Sequence, residues 1–294
     1  MPRIAFALTA AIAALLAVIA NIGSTSAASS VKIAAAGDIA CPPGYTVTAR
    51  TCQQGATARL ISSNGASAVL PLGDLQYDAG SLTGFNNSYD RNWGAFNAKA
   101  YPVPGNHEYG TSGAAGYFKY FSSRAHGAPG YYAYDIGAWR VYALNSNCLK
   151  INCTTEASWL GKDLAANPNR CVLAYMHHPR YSSSSYGGTL TVNRFWTKLL
   201  QAKADVVLAG HSHNYERFAP MNSSGGSTST GIRSFVVGTG GKSLYAFGAT
   251  APGSQFRYKE SAGVLFMTLN DSSYSWSFKT INGTVRDSGS ASCV

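Results

Sequence analysis

Five polar steps punctuate the chain, each directly after a short apolar run: Asp38, Asp74, Asn106-His107, His177-His178 and His211-Ser212-His213. Taken singly, each has an ordinary structural explanation. Gly-Asp after a strand makes a turn or caps a helix, and a lone histidine is more often a packed residue than a ligand. Five such ends in order are hard to obtain by chance. Carboxylate, amide and imidazole donors together are borderline-hard ligands, a set suited to zinc, iron or manganese.

The elements that must position these residues can be read from the apolar runs. Val31 to Gly37 reads as a buried strand delivering Asp38, Ser67 to Gly73 as a second delivering Asp74, and Tyr101 to Val103 as a third leading into Pro-Gly-Asn-His. Ala56 to Ser63 is helix-like. Tyr131 to Ile136 and Trp139 to Leu144 form a hairpin around Gly137. A helix from Glu156 to Ala166 is stopped by Pro168. Cys171 to Met176 is a strand ending in the two histidines, and a helix near Val192 to Ala202 leads to a strand, Asp205 to Ala209, ending in Gly210-His211. Beyond a low-complexity loop, Ser223 to Gly231, the chain is strand-rich over Arg233–Val237, Gly263–Asn270 and Tyr274–Ile281. Alternating strands and helices followed by late strands predict sheets covered by helices. Loops at the carboxyl ends of strands are where such sheets place ligands.

The composition narrows the setting. Of 294 residues, 46% are hydrophobic and 12% charged, which excludes a disordered chain and leaves a polar rather than ionic surface. Twenty-three Lys and Arg against thirteen Asp and Glu favour anionic ligands such as phosphates, or an acidic cell-wall setting. No basic run marks a nucleic-acid-binding tail. Arg3, the apolar run Ile4 to Ala20 and the small residues up to Ala27-Ala28 read as a secretory signal peptide. The rival is an uncleaved anchor. The expected organisation is therefore a leader over 1–28 and a single domain over 29–294, secreted or otherwise extracytoplasmic, with no membrane span after cleavage. Six cysteines allow fifteen connectivities. Cys41/Cys52 and Cys148/Cys153 are close enough in sequence to staple one loop each, which leaves Cys171 with Cys293; buried free thiols are the alternative.

The ordered set Gly37-Asp38, Gly73-Asp74-Leu75-Gln76-Tyr77, Gly105-Asn106-His107-Glu108, His177 in Met-His-His-Pro and Gly210-His211-Ser212-His213-Asn214-Tyr215-Glu216-Arg217 resembles the calcineurin-like metallophosphoesterases, and within them the purple acid phosphatases. The motifs run from residue 37 to 217. The first follows the leader almost directly, so the N-terminal β-sandwich domain of the plant enzymes is expected to be absent. The resemblance implies an α/β (α+β) fold, a two-sheet β-sandwich flanked by helices in four αββα layers.

The resemblance also implies roles. Asp38, Asp74, Tyr77 and His213 hold a first metal; Asp74, Asn106, His177 and His211 hold a second, with Asp74 bridging. The physics agrees: a carboxylate can span ions about 3.5–4 Å apart, and histidines at i and i+2 can diverge to different ions. Many family members carry Asp-x-His or Asp-x-Gly at the first motif, whereas Ala40 here cannot ligate, a vacancy that Tyr77 fits. His107 acts near the leaving group or phosphate as a general acid, with Glu108 orienting its ring. His178 touches substrate or simply packs. Arg180, Tyr181 and Arg217 line the pocket, or Arg217 forms a structural ion pair. The implied cofactors are two metal ions, iron(III) at the first site with zinc, iron(II) or manganese at the second. The implied activity is hydrolysis of a small phosphorylated substrate, a monoester, through a metal-activated hydroxide. One alternative is a phosphodiesterase acting on nucleotides or lipid head groups, with a wider pocket near Ser182 to Thr189. Another is a secreted metal- or phosphate-binding protein without turnover.

Overall fold

A computed structural model describes residues 1–2, 30–168 and 171–294. The leader expected over residues 1–28 falls almost wholly outside the described residues. Among the described residues, twelve strands form two mixed sheets. One has the order β12-β11-β10-β1-β2 and is built from β1 (Val31–Ala36), β2 (Ala68–Pro71), β10 (Gly263–Leu269), β11 (Ser273–Thr280) and β12 (Val285–Ser292). The other has the order β3-β4-β5-β6-β8-β7-β9: β3 (Tyr132–Ile136), β4 (Trp139–Ala143), β5 (Cys171–Met176), β6 (Val206–Ala209), β7 (Tyr215–Phe218), β8 (Arg233–Val237) and β9 (Ser254–Tyr258).

The sheets face one another through aromatic pairs. Every second residue of β11 is buried, as the strand period requires for one inward face. Phe278 stacks on Tyr215 at 3.9 Å, Trp276 meets Phe235, and Tyr274 meets Trp139 edge-on. A separate apolar layer lies between the second sheet and the helices α4 (Cys153–Ala166) and α5 (Asn193–Gln201): Leu160, Leu164, Phe195, Trp196 and Leu199 cover Val172, Ala174 and Val207. The helix α1 (Gln54–Asn64) packs on β10 and ends at Gly65, whose left-handed φ of 64° suits a residue with no Cβ. Short helical turns, α2 (Leu82–Gly84) and α3 (Ala115–Phe121) among them, fill the stretch between β2 and β3. These two sheets with flanking helices are the architecture expected from the motifs.

Parallel pairing sets the position of the site. β1 pairs parallel with β2, and β4, β5, β6 and β8 run parallel in the other sheet. The strands preceding Asp38, Asp74, His177 and His211 therefore present their carboxyl ends together. The two sheets are tied there by Gly37 N–H donating to Val237 O (2.9 Å) and His211 N–H donating to Asp38 Oδ2 (2.8 Å). The segment Tyr101–Val103 differs from the reading above. It runs beside β2 through isolated bridges, Ala100 to Val69 and Val103 to Leu72, because Pro102 and Pro104 cannot donate to a ladder.

Candidate active site

At the shared rim, seven side chains converge. Tyr77 Oη lies 3.0 Å from Asp38 Oδ1, 3.2 Å from Asp74 Oδ2 and 2.9 Å from His213 Nε2. His177 Nε2 lies 3.1 Å from Asp74 Oδ2 and 3.1 Å from Asn106 Oδ1, and His211 Nδ1 lies 3.1 Å from the same amide oxygen. His213 Nε2 is 3.2 Å from Asp38 Oδ1. Asp74 Oδ2 thus stands between two groups of donors, Asp38–Tyr77–His213 on one side and Asn106–His177–His211 on the other.

This arrangement fits two cations. Donors bound at roughly 2.1 Å around one ion are themselves separated by about 3 Å, the separation seen throughout the cluster. Hydrogen bonds aim two of the histidines at the cluster. His177 Nδ1 faces the carbonyl of Leu72 at 2.9 Å; a carbonyl only accepts, so Nδ1 keeps its hydrogen and Nε2 is the nitrogen that faces the cluster. His213 Nδ1 is held by Ser243 Oγ at 2.9 Å, which turns its Nε2 inward.

Protons take the cations' place in the electrostatics. Burial works against a charge on His177, but the Asp74 carboxylate beside it lifts its pKa to about 9. Burial likewise opposes ionisation of Asp74, yet His177 and His107 hold its carboxyl well below the usual range. Burial and then His177 push His211 down to about 4. Burial, with Asp38 and Asp74, raises the Tyr77 phenol, so a phenolate there needs a neighbouring cation.

The backbone is shaped around these groups. Asp38, Asp74 and His211 all have left-handed φ, 61°, 50° and 70°, a conformation uncommon outside glycine and clustered at functional sites. Gly73 (φ 80°) has no room for a side chain, since a Cβ would lie 2.7 Å from His177 Cβ. A Cβ on Gly105 would collide with Asp74 Oδ1 and its backbone nitrogen. Glu108, fully buried, accepts N–H groups from Asp74 (2.9 Å), Leu75 (2.9 Å), Gln76 (3.1 Å) and Gly105 (2.7 Å). It therefore clamps the two loops that carry Asp74 and Asn106 and does not orient the His107 ring, as the sequence reading had it.

His107 stands at the cluster's edge. Its backbone N–H donates to Asp74 Oδ1 (2.8 Å), its Nδ1 meets the Asp78 carbonyl, and its Nε2 is 3.9 Å from Asp74 Oδ2. Its ring centre lies 4.2 Å from that of Tyr77. His178 is brought to the cluster too, its ring 4.5 Å from His211. Burial, then His177 and His211, depress its pKa and keep it neutral. Ser146 Oγ fixes it, accepting from His178 N–H at 2.9 Å and bonding Nδ1 at 2.8 Å.

Other expected residues go elsewhere. Arg217 is committed to Asp287 through Nε and Nη2 (2.8 and 3.0 Å), the structural ion pair. Arg180 bonds Asn193 and Ser223 O, and Tyr181 bonds Asn222 O. Ser182 to Ser184 are buried against Glu216 and Ser212. Residues that the motifs did not mark complete the site. Tyr245 stacks flat on His213 at 3.9 Å. Lys242 Nζ sits 4.8 Å over the Tyr77 ring and 3.3 Å from Asp78. Only proximity in the fold reveals them; their one sequence signal is the Gly-Gly-Lys-Ser turn that carries Lys242 and Ser243.

Comparison with known proteins agrees with this geometry. The calcineurin-like phosphoesterase family matches residues 31–215. Purple acid phosphatase 21 of Arabidopsis thaliana is 32% identical over 97 residues, 31% of this chain and 22% of that protein. A purple acid phosphatase of Glycine max is 31% identical over 174 residues, 51% of this chain and 37% of that protein. The chain thus spans well under half the length of these relatives. Among solved structures, the purple acid phosphatase PPD1 of yellow lupin superposes with a TM-score of 0.72 at 19% identity, covering 90% of this chain and 54% of that one. GAP50, the anchor in the inner membrane complex of Plasmodium, superposes with 0.68 at 12% identity, covering 90% and 89%. A match across most of the chain, with the donor cluster inside it, means that the chain belongs to the calcineurin-like phosphoesterase family.

Proposed function

We propose that this chain is a secreted, metal-dependent phosphatase that hydrolyses small phosphomonoesters. The observation that carries the reading is the place of Asp74 Oδ2 between the two donor groups, 3.2 Å from Tyr77 Oη and 3.1 Å from His177 Nε2. Asp38, Asp74, Tyr77 and His213 would hold one ion, and Asp74, Asn106, His177 and His211 the other. Two such cations, when bound, neutralise the phosphoryl oxygens and make water a nucleophile near neutral pH. The protein's own part is orientation and proton handling. The carbonyl of Asp78 keeps a hydrogen on His107 Nδ1, so Nε2 is the position that exchanges its proton and can deliver it to a departing alkoxide. The depressed pKa of His178 keeps that ring an uncharged neighbour of the phosphoryl group.

Disulfides join Cys41–Cys52, Cys148–Cys153 and Cys171–Cys293, which supports an extracytoplasmic, oxidising setting. Among the described residues no helix is long and apolar enough to cross a membrane. Tyr77 among anionic oxygens favours iron(III) at the first site, with zinc, iron(II) or manganese at the second. Such iron gives a visible phenolate band, absent in Tyr77→Phe; iron-loaded protein without that band refutes the assignment. The test of function is metal analysis of purified protein with hydrolysis of a phosphomonoester and a diester. Two ions per chain with preferential monoester cleavage is expected. Diester cleavage alone replaces this reading with the phosphodiesterase, and two ions without any hydrolysis replaces it with a binding protein.

A further inference from the structure

Beside the donor cluster lies a cavity of about 300 Å³, bordered by Asn106 and His178 at its inner end and by Tyr109, Leu149, Lys150 and Thr191 farther out. A separate groove of about 540 Å³ runs between α4 and α5 past Lys162 and Lys198 and shares no residue with the cluster. The smaller cavity is continuous with the proposed phosphoryl position through its two inner residues.

Its walls are fixed in advance. The Tyr109 hydroxyl is bonded by Asn145 Nδ2 at 2.8 Å, and Asn145 also donates to Pro129 O, so the ring is held as a wall. Leu149 is 94% exposed, an unusual state for a leucine. It sits in the loop that the Cys148–Cys153 bridge closes, with Cys153 buried, Cys148 partly so, and Lys150 N–H bonded back to Asn147 O at 2.7 Å. A short, cross-linked loop that borders the cavity with a leucine, together with the fixed Tyr109 ring, makes an apolar slot for a flat group, and rigidity lowers the ordering cost of filling it. Among the described residues Lys150 Nζ has no anionic partner, and the Thr191 hydroxyl has no bonding partner either. Together they form a polar outer edge. A volume at the low end of ligand pockets limits the occupant to about one ring system.

We propose that this cavity is the subsite for the organic group of the phosphoester, and that the chain prefers esters of ring-bearing alcohols to those of small polar alcohols such as glycerol. The inference rests on the phosphoester reading above for the position of the phosphoryl group.

Binding of two non-hydrolysable probes, phenylphosphonate and methylphosphonate, to metal-loaded protein tests it without requiring turnover. Phenylphosphonate is expected to bind on the order of tenfold more tightly, the scale of discrimination by a small apolar pocket. Leu149→Ser, at an exposed position, is expected to reduce that ratio by about threefold or more; circular dichroism and metal content report whether the variant is intact. Equal affinities in the wild type, no binding of either probe, or an unchanged ratio in Leu149→Ser overturns the subsite. Hydrolysis of phenyl phosphate is measured separately. A ring preference without hydrolysis keeps the subsite and refutes the proposed phosphatase, whereas hydrolysis without a ring preference does the reverse.

Discussion

His107 and His177 flank the same carboxylate, and their different hydrogen bonds give them different consequences when changed. His107 contributes its backbone N–H to Asp74 Oδ1, a contact that survives removal of the ring. His107→Ala is therefore expected to keep its metal content and to lose turnover by about 10²–10⁴-fold, the range for a general acid. The loss should shrink for esters with good leaving groups, and a uniform loss across leaving groups would assign His107 to binding instead. His177 is a matter of proton linkage. With its pKa lifted to about 9 against burial by Asp74, it carries a proton on Nε2 at pH 7, and a metal ligand must shed it. Loading both sites near neutral pH is expected to release about two protons per chain, that of His177 and that of the Tyr77 phenol, and metal affinity should climb as pH rises toward 9. Calorimetry in buffers of different ionisation heat reads this directly; a heat independent of buffer would place those protons elsewhere. In the metal-free protein the sign is also fixed. A raised histidine pKa stabilises the fold fully below its ordinary value of 6.5 and loses that contribution as pH rises through about 9.

Strand ends and the loops between them decide whether these residues meet. Gly105 lies against the backbone nitrogen and Oδ1 of Asp74, with no space for a methyl group. Gly105→Ala is expected to cost about 1–3 kcal/mol, the scale of overpacking, and to weaken metal binding because Asp74 must yield. Unaltered affinity for both ions would show that the loop relaxes without moving the carboxylate. The strands that carry the site were legible because each is an apolar run buried on both faces and stopped by Gly-Asp, Met-His or Gly-His; β1, β2, β5 and β6 are all of this kind. The strands β7, β9 and β12 were not read. Tyr-Glu-Arg-Phe, Ser-Gln-Phe-Arg-Tyr and Val-Arg-Asp-Ser-Gly-Ser-Ala-Ser alternate or lack apolar residues, and β9 and β12 are edge strands with one side unpaired. Their pairing follows from tertiary context that a local pattern does not carry. The same holds in the site. The motif residues were visible as donors at strand ends, whereas Ser146, Ser243 and Tyr245 are ordinary loop residues until the fold sets them against His178 and His213.

At the scale of the whole molecule, the two sheets are joined at opposite ends by different means. The rim at the carboxyl ends of β1, β2, β5 and β6 is held by the donor cluster and its hydrogen bonds. The other end is held by a covalent tie, in which Cys171 at the first residue of β5 is bridged to Cys293 just beyond β12. Asp205, before β6, reinforces that end by accepting from Val172 N–H (2.8 Å) and Val294 N–H (2.7 Å). Each sheet thus has one member in the tie, the edge strand β12 in the first and the interior strand β5 in the second. The bridge closes a sequence separation of 122 residues, for which chain-entropy treatment gives about 4–5 kcal/mol, with measured losses of native disulfides at about 2–5 kcal/mol. Cys171 and His177 are separated by the length of β5, about 20 Å at the rise of a strand, so the loss should not reach the metal ligands. Cys171→Ala with Cys293→Ala is therefore expected to lower the unfolding free energy by an amount in that range, read as a fall in the denaturation midpoint, while metal content and turnover stay near wild type below the midpoint. A variant that loses its metals before it unfolds would mean that the two ends of the sandwich are mechanically coupled, and that β5 transmits strain from the tie to His177.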